Sequence, residues 1–113
     1  PGITVSLTSH VDAIWLVDLV NELFNGGAET IALNGIRLTD QTQGFEVLPQ
    51  GQIFLHVSTL EAPYVFKAIG EPAELEKVVL QESGIVKRMG EKYPSLKIDV
   101  EKHERVEIKV TSL

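Results

Sequence analysis

The sequence contains no cysteine, which excludes disulfide bonds, thiolate nucleophiles and cysteine-ligated zinc together. It has no apolar run approaching the roughly 20 residues that a membrane-crossing helix needs. A basic cluster is also missing: 10 Lys and Arg against 16 Asp and Glu leave a formal charge of −6. A surface of that sign repels phosphate backbones, so no nucleic-acid partner is expected. His10, His56 and His103 lie far apart and match no metal-ligand spacing. Gly26-Gly27 follows a helical pattern instead of opening one, so its N–H groups do not form a phosphate cradle. There is no Walker lysine motif and no dinucleotide fingerprint. Ser83 and Ser95 lack the strand-turn-helix setting of an activated serine. A non-enzymatic domain is expected, with no cofactor and no metal.

The residues present describe one ordinary globular domain. An apolar share of 43% in 113 residues supports one core and leaves little room for two. Pro1-Gly2 runs without an initiator methionine into Ile3, Val5 and Leu7, which alternate with Thr4, Ser6 and Thr8 as a half-buried strand does. Domain 1–113 is therefore expected to be excised from a longer protein. Thr8, Ser9 or Asp12 can cap a helix whose apolar stripe is Ala13, Leu16, Val17, Val20, Leu23 and Phe24, ended by Gly26-Gly27. Thr30 to Leu33 reads as a central strand, and Asn34-Gly35 as a turn or bulge. Phe45 to Leu48 and Gln52 to Val57 flank Pro49-Gln50-Gly51 as a hairpin. Tyr64 to Ile69 is a further strand.

Pro72 suits the first turn of a second helix carrying Leu75, Val78, Val79 and Glu82. Gly84 interrupts it, with another turn or two over Ile85 to Met89. Leu96, Ile98 and Val100, then Val106, Ile108 and Val110, alternate as two strands around a turn near His103-Glu104. This order predicts an α+β fold: a ferredoxin-like split βαβ arrangement with one mainly antiparallel sheet, two main helices on one face and an added hairpin. The other face is left open or is covered by something outside this segment.

Candidate binding residues gather around Gly27 to Arg37. Asn34 and Arg37 can present donors to a ligand or partner, while the plainer reading has Asn34-Gly35 forming the turn and Glu29 pairing with Arg37. Tyr64 and Lys67 join them if the strands bring the four together in one pocket. Trp15 lies off the centre of the first helix's stripe, either as edge-of-core packing or, if exposed, as an interface anchor.

Asn21-Glu22-Leu23, then Gly27-Ala28-Glu29-Thr30-Ile31-Ala32-Leu33-Asn34-Gly35-Ile36-Arg37, resemble one signature of the bacterial domain-of-unknown-function family 881. Pro63-Tyr64-Val65-Phe66-Lys67-Ala68-Ile69-Gly70 is similar to its second signature, and Pro1 to Val5 to its domain start. Ala62 replaces the first proline of a common pair. Gln41 to Val57 lacks an arginine and a second Asn-Gly turn, so no role of those residues is carried over. The resemblance implies a membrane-spanning helix and a coiled coil ahead of this domain. It also implies an envelope or cell-division setting, with the domain outside the cytoplasmic membrane of a cell-membrane protein.

The function expected on these grounds is a protein-interaction or scaffolding domain of such a membrane-anchored protein. It would bind a protein partner or self-associate, and membrane contact would come only through segments absent here. The rival reading is a small-molecule sensor that binds its ligand at a dimer seam or sheet edge.

Overall fold

The computed structural model describes residues 1–39, 60–81 and 84–108. The hairpin expected over Phe45 to Val57, His56, Glu82 and Val110 lie outside them. The elements are β1 (Gly2–Leu7), α1 (Ala13–Asn25), β2 (Thr30–Leu33), β3 (Ile36–Thr39), β4 (Tyr64–Ile69), α2 (Pro72–Leu80), α3 (Ile85–Lys92) and β5 (Ile98–His103). The strands form one sheet in the order β3-β2-β4-β1-β5, and every neighbouring pair is antiparallel. β1 and β2 therefore run parallel with β4 between them, as do β4 and β5 with β1 between them. This is the split βαβ arrangement of the expected ferredoxin-like α+β fold. β3 is an added edge strand joined to β2 by the Asn34-Gly35 turn.

Period-two alternation divides the sheet into two faces. Ile3, Val5 and Leu7 of β1 pair with Ala68, Phe66 and Tyr64 of β4, and all six are buried. Ile31 and Leu33 of β2 extend this apolar face on one side. Ile98 and Val100 of β5 extend it, half-buried, on the other. α1, α2 and α3 pack on it, adding Leu16, Val17, Leu19, Val20, Leu23, Leu75, Val79, Ile85 and Met89 to a single core cluster.

Leu19 is fully buried although it lies off the expected stripe of α1. The stripe is wider because α1 touches α2 and α3 as well as the sheet. Glu22 of α1 reaches Arg88 of α3 at 4.0 Å. Trp15 meets Tyr93, just past α3, edge-to-face at 6.3 Å between ring centroids. α3 thus runs antiparallel to α1 and covers its Trp15–Glu22 side. It is a separate helix and not an extension of α2. The chain turns extended at Gln81 (ψ 154°), and the Gly84 N–H donates to the Gln81 carbonyl at 2.8 Å.

A second strand is expected after His103, but residues 105–108 form no strand. They cross the helix-free face as a strap. Val106 lies over Gly2, where a Cβ would come within 2.8 Å of Val106 Cγ2 and would also strike the Ala68 carbonyl oxygen. Val106 and Ile108 are half-buried while Arg105 and Glu107 are exposed. The period-two pattern records one packed side and one wet side, which a strap shares with a strand.

The end of α1 shows how local sequence positions β2. Gly27 N–H donates to Phe24 O and Ala28 N–H to Leu23 O, both at 3.0 Å, the paired bonds of a Schellman cap. Gly27 takes φ 98°, with nothing within 4 Å of an added Cβ. Its requirement is conformational, not steric. Gly27→Val should therefore destabilise the domain by about 1 kcal/mol or more, read as a lower chemical-denaturation midpoint. An unchanged midpoint would show that the left-handed geometry is not needed.

Candidate functional site

The helix-free face is built from the alternate residues of the same strands. Register places Arg37, Ala32, Lys67, Thr4 and Glu101 side by side across all five strands. A flanking row holds Val65, Ser6 and Asp99, and the other flank holds Thr30, Ile69, Gly2 and His103. Against this floor the strap leaves a groove of about 280 Å³ lined by Ala32, Asn34, Gly35, Val65, Lys67, Glu107 and Ile108. A second recess, on the other side of Lys67, is lined by Thr4, His103, Arg105, Val106 and Glu107. Ala32 is 4% exposed although it faces away from the helices.

The structure places the expected site residues as follows. Lys67 is exposed and lines both recesses, and its side chain forms no hydrogen bond or ion pair among the described residues. Arg37 stands in the same row, opposite Ala32, and is half-buried. Asn34 lines the groove, but its side chain is occupied. Its Oδ1 accepts from the Val65 N–H at 2.7 Å, and its Nδ2 donates to Pro63 O at 3.2 Å. With its own N–H donating to Val65 O at 3.0 Å, Asn34 mimics a further ladder residue and ties the β2–β3 turn to the start of β4. Its φ of 49° is the left-handed value such a turn needs.

Glu29 is exposed just before β2, and its N–H donates to Ile69 O at 2.8 Å. Trp15 is half-buried against the core and Tyr93, the edge-of-core arrangement. Tyr64 sits on the opposite face from Lys67, as the odd separation of 64 and 67 along one strand requires. It is 1% exposed. The four residues Asn34, Arg37, Tyr64 and Lys67 therefore do not converge. Sequence reasoning passed over Ala32, Val65 and the strap residues, whose signal was the small residue in a strand and the apolar alternation after His103.

Tyr64 belongs to a different cluster. Its hydroxyl lies 3.3 Å from His10 Nδ1, and His10 Nε2 lies 3.6 Å from Asp12. The Asp12 N–H donates to the Tyr93 hydroxyl at 3.0 Å. Burial raises the Tyr64 pKa, opposed by a backbone hydrogen bond with Val11 and reinforced by the negative charge of Glu61. The cluster pins the segment after β1 to β4. On the sheet's other face His103 Nε2 lies 3.0 Å from Thr4 Oγ1 and 3.8 Å from Glu101. Among the described residues no group of three His, Asp or Glu is placed to hold a metal ion.

These features define a ferredoxin-like α+β domain with helices on one side of its sheet and a strap-lined groove on the other. The chain belongs to the DUF881 family, bacterial proteins of unknown function, whose model matches residues 1–112. It is also similar to the crystal structure of an uncharacterized conserved protein from Mycobacterium tuberculosis. The TM-score is 0.74 at 23% sequence identity, over 100% of this chain and 81% of that one. At that identity the likeness concerns the fold. No curated protein sequence matches the chain.

Two substitutions separate architecture from binding at these positions. Asn34→Ala removes bonds to backbone groups of β4 and its approach, and should cost about 1–3 kcal/mol of stability. Asn34→Asp should do no better at neutral pH, because it turns a carboxylate oxygen toward the Pro63 carbonyl. Retained stability in both variants would mean the amide is free for another role. For Tyr64, a folded-state pKa raised above the unfolded value of about 10 means the folded state holds its proton more tightly. That contribution is complete below pH 10 and is lost as pH rises through the folded pKa. Denaturation midpoints measured from pH 9 to 12 should fall more steeply for the native sequence than for Tyr64→Phe.

Proposed function

We propose that this chain is a non-enzymatic protein-interaction domain of a membrane-anchored bacterial envelope protein, and that its working surface is the helix-free face of the sheet. The observation that carries the reading is the groove between β2, β4 and the strap. Its floor of Ala32 and Val65 is apolar, and Lys67 and Glu107 also line it. Its volume of about 280 Å³ is at the lower edge of the roughly 300–1,000 Å³ of sites that enclose small-molecule ligands. Membership of the DUF881 family supports the envelope setting by analogy, through the anchor and coiled coil that the family resemblance implies. In that setting the domain recognises another protein outside the cytoplasmic membrane and scaffolds an envelope or division assembly.

The test is photo-crosslinking in living cells with the full-length protein. A photoreactive amino acid at Lys67 should give discrete protein adducts. The same group at Glu74, exposed on α2 on the far side of the sheet, should not. Clean monomer at the Lys67 position, with adducts at Glu74 or at neither, would overturn the assignment of the face.

A further inference from the structure

The strap and the groove beside it are complementary to each other, and this points to a particular partner. Val106 and Ile108 each keep part of their side chain exposed above the sheet, and the groove next to them has an apolar floor with room for such side chains. The strap itself demonstrates what the face accepts. It is an extended segment with branched apolar residues set down over small ones, Val106 over Gly2 and Ile108 beside Ala32. Among the described residues no backbone hydrogen bond ties residues 105–108 to the sheet, so the strap's upper edge retains its own donors and acceptors.

Charge narrows the choice of partner. The whole chain carries −6, so two copies repel at long range. Among the described residues of the helix-free face, however, Arg37, Lys67 and Arg105 stand with Asp99, Glu101 and Glu107. Arg105 and Glu107 pair at 2.9 Å, while Lys67 has no counter-ion among the described residues. A strongly basic or strongly acidic partner gains nothing from such a surface. A second copy gains where a two-fold axis sets a cation of one face against an anion of the other, as Lys67 against Glu107 would be.

We propose that two copies of this chain associate face to face through the helix-free sides of their sheets. The half-exposed Val106 and Ile108 of each enter the groove of the other, and Lys67 of each meets Glu107 of its mate. The proposal rests on the assignment of this face as the working surface and names its occupant. Three strands of six residues and two of four, at about 3.3 Å per residue and 4.8 Å between strands, give a footprint of roughly 400 Å² per copy and about 800 Å² over both copies. That lies below the roughly 1,000 Å² of a stable specific interface and describes a weak, transient dimer.

Sedimentation of the 113-residue chain should show a weak monomer–dimer equilibrium, with dimer appearing between high micromolar and millimolar concentration. Ile108→Asp and Val65→Asp should each weaken it at least tenfold with unchanged circular dichroism. Lys67→Glu and Glu107→Lys should each weaken it, and mixing these two variants should restore a heterodimer at least tenfold tighter than either variant alone. That recovery is not expected if the substitutions merely perturb folding. A chain that stays monomeric at millimolar concentration, or a dimer indifferent to all four substitutions, would overturn the proposal. Should it fall while the Lys67 photo-crosslinks in cells still lead to a different protein, the assignment of the face stands and only its occupant is wrong.

Discussion

The register between β1 and β4 is the constraint on which the rest of this structure depends. Val5 opposite Phe66, with Ile3 opposite Ala68 and Leu7 opposite Tyr64, puts six buried side chains on one side of the two central strands. A slip of one residue would turn Thr4, Ser6 and Lys67 into the core and expose the apolar set, so the pairing is strongly specified. Once it is set, β2 and β5 add to either side with the same parity. The three helices then have one apolar surface to cover. The same parity creates the other face, because every residue excluded from the core must point away from it.

That second face is graded by side-chain size as well as by polarity. Gly2 and Ala32 are small where the strap and groove need depth, and Thr4 and Ser6 between them are modest in height. Lys67 rises from the middle of this low surface, between the two recesses. The core side shows the opposite preference, with Phe66, Tyr64 and the branched aliphatic residues filling space to contact. One sheet therefore carries two different packing problems. The helix side is closed by side chains from within the domain, and the strap only partly closes the other.

Much of this was legible in the residues, and the exceptions share a cause. Long, strongly periodic segments such as Ile3 to Leu7, Ala13 to Phe24 and Tyr64 to Ile69 announced both their type and their buried side. Ile36 to Thr39 did not, because four residues after a turn give too short a sample of alternation to separate a strand from a loop. Ile85 to Lys92 was visible only as a continuation of α2. The break depends on the backbone turning at Gln81 and on Gly84, and glycine alone does not say whether a helix pauses or ends. The strap imitated a strand because periodicity reports which side is packed, not whether a ladder forms. At the site, parity along β4 alone was enough to separate Tyr64 from Lys67. The occupied amide of Asn34 was not foreseeable, since it depends on a contact across 31 residues of chain.

The pairing of Gly2 with His103 has a mechanical consequence. The first residue of β1 and the last residue of β5 are neighbours at one corner of the sheet, roughly 5 Å apart as antiparallel partners are. Tension applied between those two points does not load the β1–β5 ladder in shear. It peels the ladder from that corner, one pair at a time, which is the direction of least resistance for an antiparallel pair. The corner is also where the strap turns back and sets Val106 down on Gly2. The first pair to part is thus the one held under a side chain, and pulling the sheet open must begin by lifting that cover.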